Sequence, residues 1–123
     1  MAKSLMVWAQ PSNIWTNGDE LNFFAASDSV TEAATQANCT EDATFSFMAA
    51  RIVAGNSGTA TFGFRDAGAN GSETFQISGV GTNEDAVNSD VLSAGDLFNI
   101  AYTDTGTNST SGWLKTNVAF ALG

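Results

Sequence analysis

TATFGFRDAGANGSETFQI, residues Thr59–Ile77, is the stretch that decides the fold of this chain. Ala60, Phe62 and Phe64 alternate with small or polar residues, and the alternation resumes at Phe75 after a short break. Such a period of two is typical of a β-strand that buries one face and exposes the other. The stretch therefore predicts two strands with aromatic side chains on their buried face.

The break between these strands, Asp66–Ser72, is rich in glycine and asparagine. Both residue types tolerate a positive φ, so the segment predicts a hairpin with Asn70-Gly71 at its tip. The segment also has a partial likeness to a calcium-binding loop. Gly68 and Ile77 occupy positions where that loop needs ligands, so we interpret the segment as a hairpin and not as a cation site.

Similar patterns continue on both sides of the hairpin. An ambiguous stretch, Thr31–Ala37, predicts an edge strand, although Ser29–Glu32 could instead cap a short helix. A change of parity predicts a β-bulge near Ala49–Arg51. We interpret Pro11–Asp19 as a turn-rich connection and Gly79–Asp90 as an acidic loop that leads into a short strand. Further strands are predicted at Ser4–Gln10, Glu20–Ala25, Ala43–Val53, Val87–Leu92, Leu97–Asp104 and Trp113–Leu122.

This count of strands predicts an all-β fold. About eight short strands with polar loops, and no helical stretch long enough to connect parallel strands, favour a two-sheet antiparallel sandwich that is jelly-roll-like. We predict a single domain over residues 1–123, in which residues 1–18 form an N-terminal strand and arm. The length and the 43% hydrophobic content are enough for one core.

The charge balance bears on the partners. Four Lys and Arg residues against 13 Asp and Glu residues give a net charge of −9. A surface of this sign repels phosphate backbones and anionic lipids, so we expect no nucleic acid and no membrane as partner. The N-terminal residues lack a signal-peptide pattern, and the single cysteine, Cys39, is typical of a protein that folds in a reducing cytoplasm.

The residue types limit the chemistry. Histidine is absent, which excludes triads and metal sites that depend on imidazole. Cys39 has no basic neighbour in sequence that would activate it as a nucleophile. Glu84, Asp85 and Asp90 could in principle form a glycosidase pair, but we interpret them as solvated loop charges. The sequence thus predicts a protein without enzymatic activity, cofactor or metal.

Large apolar residues on predicted outward faces indicate oligomerisation or a partner. The three tryptophans allow three interpretations, which are core packing, an interface with protein, and stacking on a glycan. The residues predicted to form an interface are Trp8, Trp15, Phe24, Met48, Ile52 and Trp113.

The order of motifs resembles a known family. Asp42-Ala-Thr-Phe-Ser-Phe-Met48 is followed by Thr59–Arg65, the Asn70-Gly71 tip and the turn Ala94-Gly95-Asp96. Over roughly Thr31–Phe120 this layout resembles small β-sandwich virion proteins of tailed bacteriophages, similar to the trimeric jelly rolls of tumour necrosis factor and C1q. The N-terminal arm does not fit the pattern.

This resemblance implies a structural virion protein. The leading expectation is a capsid decoration (cement) protein, made in the bacterial cytoplasm and forming a homotrimer on the major capsid protein or other virion subunits. The arm with Trp8 and Trp15 is the expected contact with the shell. The alternative is a receptor- or glycan-binding module of a tail fibre or baseplate, which would bind through loop tips such as Asn70–Ser72 and Thr105–Ser111.

Overall fold

The computed structural model describes residues 2–15, 17–21, 28–29, 36–106 and 109–122. All regular structure in these ranges is β-strand. The strands are β1 (Ala2–Trp15), β2 (Glu20–Leu21), β3 (Asp28–Ser29), β4 (Ala37–Asn38), β5 (Ala43–Ala54), β6 (Thr59–Asp66), β7 (Ala69–Ser78), β8 (Gly81–Leu92), β9 (Leu97–Asp104) and β10 (Thr110–Leu122).

The strands form two antiparallel sheets that pack face to face. Sheet A has the order β1-β10-β5-β8, and sheet B has the order β3-β2-β9-β6-β7 with β4 also paired to β9. Four pairs are nested along the chain, because β6 pairs with β7, β5 with β8, β2 with β9 and β1 with β10. This nesting is the winding of a jelly roll, so the predicted all-β sandwich is confirmed.

Aromatic rings fill the space between the sheets. Phe45 of sheet A lies 4.7 Å from Phe98 and 4.9 Å from Phe64 of sheet B, measured between ring centroids. At the other end of the core, Trp15 packs edge-on against Phe62 at 5.4 Å. Tilted and edge-on pairs at such distances add to the free energy of burial. The apolar residues of Thr59–Ile77 therefore belong to this core, together with Phe98, Ile100 and Tyr102 of β9.

The hairpin predicted in Thr59–Ile77 forms between β6 and β7, but its tip is not at Asn70-Gly71. Asp66 pairs with Ala69, which leaves Ala67 and Gly68 as the two turn residues, with φ values of 49° and 83°. Two positive φ values in a row give the strand reversal that matches the twist of a hairpin. Asn70 belongs to β7, where its Oδ1 accepts a hydrogen bond from Arg65.

Strand β1 is longer than the sequence indicates. The predicted turn at Pro11–Asp19 is wrong for its first half, since the strand continues to Trp15. Pairing with β10 shifts between Gln10 and Asn13, so the proline sits in an irregularity where no ladder hydrogen bond is needed. Pro11 favours a turn, but pairing with β10 on both sides of the irregularity keeps this segment in a strand.

The acidic stretch after the hairpin is a strand as well. Gly81–Leu92 pairs with β5 over most of its length, so the prediction of a loop at Gly79–Asp90 is wrong. The turn Ser93–Asp96 is confirmed, since Gly95 has a φ of 96° and the backbone N–H of Ser93 donates a hydrogen bond to the carboxylate of Asp96. Much of the predicted strands Glu20–Ala25 and Thr31–Ala37 lies outside the described residues. No helix in the described ranges is long and apolar enough to cross a membrane.

Candidate functional site

A β-bulge turns one aromatic side chain of β5 out of the core. Pairing with β8 is interrupted between Ser46 and Met48, and Phe47 between them has a φ of 53°. Phe45 and Met48 point inward and are fully buried, whereas the side chain of Phe47 is 47% exposed. The predicted bulge near Ala49–Arg51 therefore lies at Phe47 instead.

This shift reverses the faces that the sequence indicates. Because the bulge precedes Met48, both Met48 and Ile52 point into the core and are 0% exposed. Neither side chain is available to a partner in this fold, so their assignment to an interface is corrected. The same holds for Trp15, which packs in the core against Phe62 and Tyr102.

The facing strand carries a matching irregularity. Ser89 pairs with Ser46 and Asp85 pairs with Met48, so three residues, 86–88, lie opposite the single residue Phe47. The carboxylate of Asp85 accepts hydrogen bonds from the backbone N–H groups of Val87 and Asn88 at 3.0 and 2.9 Å. The turn held in this way leaves the side chain of Val87 91% exposed.

We call Phe47, Val87 and Val91 the bulge patch. Val91 is 70% exposed and pairs with Thr44, three residues before Phe47 along β5, so the three side chains lie on neighbouring parts of sheet A. The outer face of sheet B differs. Its strands β6 and β7 present Thr, Gln and Ser side chains there, as at Thr61 and Gln76, which bond to each other. Among the described residues, the exposed apolar side chains of β5 and β8 thus lie on sheet A, whereas Leu97 of β9 in sheet B is 41% exposed.

A buried carboxylate supports the bulge from inside. Glu73 shares the inward parity of Phe75 and Ile77 on β7 and is 0% exposed. Its Oε2 accepts a hydrogen bond of 3.0 Å from the backbone N–H of Met48, the residue just after the bulge. Glu73 thus links sheet B to the point in sheet A where the ladder is interrupted.

The environment of Glu73 favours its protonated form. Burial, together with the charges of Asp90 and Asp85, raises its pKa to about 7, although the bond from Met48 acts in the opposite direction. Its second oxygen, Oε1, is buried without a hydrogen-bond partner among the described residues. An ionised carboxylate with an unsatisfied oxygen is costly in such a place.

Two further carboxylates join the edges of the sheets at this point. Asp90 of β8 accepts hydrogen bonds from the backbone N–H groups of Ser72 and Glu73 of β7. Asp85 accepts one from Thr74 at 3.0 Å. Burial raises the pKa of Asp85, but the bonds from Asn88, Thr74 and Val87 outweigh it and lower the pKa to about 2. We call Glu73, Asp85 and Asp90 the carboxylate seam.

The seam explains how two edge strands meet without a shared ladder. Side-chain oxygens of β8 accept hydrogen bonds from backbone N–H groups of β7. Without these bonds, the N–H groups at this edge could pair with a strand of another molecule. Gly71 is needed here, because a Cβ at that position would lie 2.5 Å from Oδ1 of Asp90. The interpretation of Asp85 and Asp90 as solvated loop charges is therefore wrong. Glu84, which also lies in β8, is exposed to solvent as expected.

The remaining predicted interface residues have different positions. Trp113 is half-buried on the outer face of sheet A, where it pairs with Arg51 of β5. Trp8 lies opposite Thr116 in the register of β1 and β10. Phe24 lies outside the described residues. The predicted Trp8–Trp15 arm is thus a strand of sheet A, and its Trp15 belongs to the core.

Cys39 is buried, its pKa is raised mainly by burial, and its Sγ contacts the carbonyl oxygen of Glu41 at 2.8 Å. Within the described ranges, no group of three or more Cys, Asp or Glu side chains is arranged to hold a metal ion. The chain matches no protein-family model and no curated protein.

Proposed function

We propose that this chain is a structural virion protein of the capsid decoration type, which binds the major capsid protein or another virion subunit through the bulge patch. The observation that carries the proposal is Phe47. This aromatic residue is kept outside the core at a positive φ, beside two valines that are mostly exposed.

The backbone at Phe47 favours a role for this side chain. A bulky residue at positive φ costs about 1–3 kcal/mol, so the surrounding structure must hold it there. Glu73 and Asp85 do so by accepting the N–H groups that the two bulges release. Bulges often re-aim a side chain towards a functional surface, and here the re-aimed side chain is aromatic.

The amount of apolar surface suits a weak contact that is repeated many times. Each of the three side chains contributes about 1.5–3 kcal/mol when fully buried. One copy would therefore bind weakly, whereas linked copies in a homotrimer, the state that the family resemblance implies, would gain by multivalency. The acidic surface and the polar outer face of sheet B would limit contacts with other partners.

The test is occupancy on the particle. Virions that contain the wild-type chain, Phe47→Ser or Val87→Ser are compared by quantitative mass spectrometry, with Val80→Ser as the matched control. Val80 is 64% exposed but lies in the turn between β7 and β8, outside the bulge patch. We expect both patch variants to reduce occupancy and the control to retain it. Equal occupancy for all four chains would overturn the proposal.

The alternative is a receptor- or glycan-binding module of a tail fibre or baseplate. The same mass spectrometry separates the two functions, because a decoration protein is present in a number comparable to that of the major capsid protein. A fibre or baseplate module is present in only a few copies. Light scattering of the purified chain checks the proposed trimer.

A further inference from the structure

A shallow depression lies on the outer face of sheet A, next to the bulge patch. Its volume is about 350 Å³, at the lower end of the range for ligand sites. It forms because Ala49 on the central strand β5 lies between larger side chains, with Lys115 opposite it on β10 and Glu84 opposite it on β8. The other residues that line it are Ala50, Thr82, Asn83 and Trp113.

Trp113 lines the depression and is not part of the aromatic core. Trp15 lies 5.4 Å from Phe62 and 5.7 Å from Tyr102 between ring centroids. Trp113, by contrast, makes no ring contact with any aromatic residue that the structure describes, and it is half-buried. Part of its surface is therefore open to a ligand that packs on the indole.

The polar groups at the rim are also uncommitted. The side chains of Lys115 and Glu84 are exposed and make no hydrogen bond or ion pair with another described residue. The side chain of Asn83 is fixed beside them, because its Oδ1 accepts from the backbone N–H of Glu84 and its Nδ2 donates to the carbonyl of Gln76. A donor and an acceptor thus flank Ala49, on strands whose backbones are two strand spacings or about 9.5 Å apart.

We propose that this depression binds a pyranose saccharide, with the sugar ring stacked on Trp113 and its hydroxyl groups bonded to Lys115 and Glu84. A pyranose has an apolar C–H face that packs on an aromatic ring, and a rim of hydroxyl groups that both donate and accept. The depression offers one aromatic wall, a donor that cannot accept and a carboxylate that cannot donate. Thr82 supplies a hydroxyl that does both.

The charges at the depression have both signs, which suits a neutral ligand whose hydroxyl groups both donate and accept. Lys115 and Glu84 line the depression, and Arg51 pairs with both Trp113 and Thr82. A larger groove of about 390 Å³ lies over sheet B, where Thr61, Gly63 and Thr103 line it. Its aromatic residue, Phe64, is buried, so that groove offers hydroxyl groups without a stacking surface.

The experiment follows the indole N–H signal of Trp113 by NMR during titration of the full chain. The probes are oligosaccharides of D-glucose, D-galactose, N-acetyl-D-glucosamine and L-rhamnose. We expect at least one to cause a saturable shift of this signal. Glu84→Gln and Lys115→Met, which change exposed side chains, should each weaken binding by about tenfold or more, since each removes a charged hydrogen bond. Trp113→Ala, followed by calorimetry, should abolish binding.

Two results would overturn the saccharide site. One is the absence of a saturable shift with all four probes, and the other is unchanged affinity in both Glu84→Gln and Lys115→Met. Val80→Ser is the control and should bind as the wild type does. The test is independent of the docking proposal, because Glu84→Gln should leave virion occupancy unchanged while Phe47→Ser should leave sugar affinity unchanged.

Discussion

Replacing Glu73 by glutamine should change how the stability of the protein depends on pH. Glutamine keeps an oxygen that accepts the N–H of Met48 but removes the carboxyl group that titrates. In the folded chain that carboxyl has a pKa of about 7, against an ordinary value of 4.5 in the unfolded chain. Below about pH 4.5 both states are protonated, and the folded state loses nothing.

The loss of stability develops as the pH rises. Between about pH 4.5 and 7 the unfolded state releases its proton while the folded state keeps it, so the free energy of unfolding falls. Each pH unit between the two pKa values corresponds to about 1.4 kcal/mol. The wild-type chain should therefore lose on the order of 3 kcal/mol by pH 8, and the contribution should be constant above that pH.

The assay is urea denaturation followed by tryptophan fluorescence, because Trp15 is buried beside Phe62 and Tyr102. Glu73→Gln should match the wild type near pH 4.5 and exceed its free energy of unfolding by about 3 kcal/mol near pH 8. Glu84→Gln, which also removes one acid but an exposed one, should run parallel to the wild type. A Glu73→Gln profile that is also parallel to the wild type would refute the reasoning.

Two other changes probe the carboxylate seam. Asp85→Asn should lower the free energy of unfolding by about 2 kcal/mol at pH 7 in the same denaturation assay. The pKa of Asp85 near 2 gives a contribution to stability that is present above about pH 4 and is lost as the pH falls towards 2. Glu84→Gln should have little effect, and equal effects of the two variants would contradict this role of Asp85. Gly71→Ala should lower the melting temperature, with a cost of about 1–3 kcal/mol, because its Cβ would displace the carboxylate of Asp90. Gly63→Ala, where a Cβ meets nothing within 4 Å, is the control, and an equal change for both alanines would contradict the crowding argument.

The fold class could be predicted from the sequence because apolar and polar residues alternate wherever the strands are regular. Phe62, Phe64 and Phe75 point inward as their period indicates, and the polar residues between them face out. The sequence was insufficient at the bulges, since one inserted residue reverses every later side chain. Phe47 and Met48 therefore lie on the faces opposite to those that the sequence indicates, so the proposed interface includes Phe47 and not Met48.

The carboxylate seam was harder to foresee for another reason. Asp85 and Asp90 occur among polar residues, a composition that is typical of a loop, and only the register with β5 makes that stretch a strand. Glu73 did carry a signal, because it shares the parity of Phe75 and Ile77 and so had to point into the core. A charged residue at a core position indicates a buried polar contact, here with the backbone of Met48.

These contacts connect the interior to the outer surface. Glu73 accepts a hydrogen bond from the N–H of Met48, next to the bulge of β5. Asp85 accepts one from the N–H of Val87, in the turn of β8. The two bulges in turn present Phe47 and Val87, so the positions of the exposed apolar groups depend on two buried carboxyl groups. Ionisation of Glu73 would strengthen its hydrogen bond with the N–H of Met48 but would place a charge in a buried site, whereas Asp85 is already ionised over the whole neutral range. Phe47 itself has no titratable group, so truncating it should weaken the proposed docking without altering the pH profile set by Glu73.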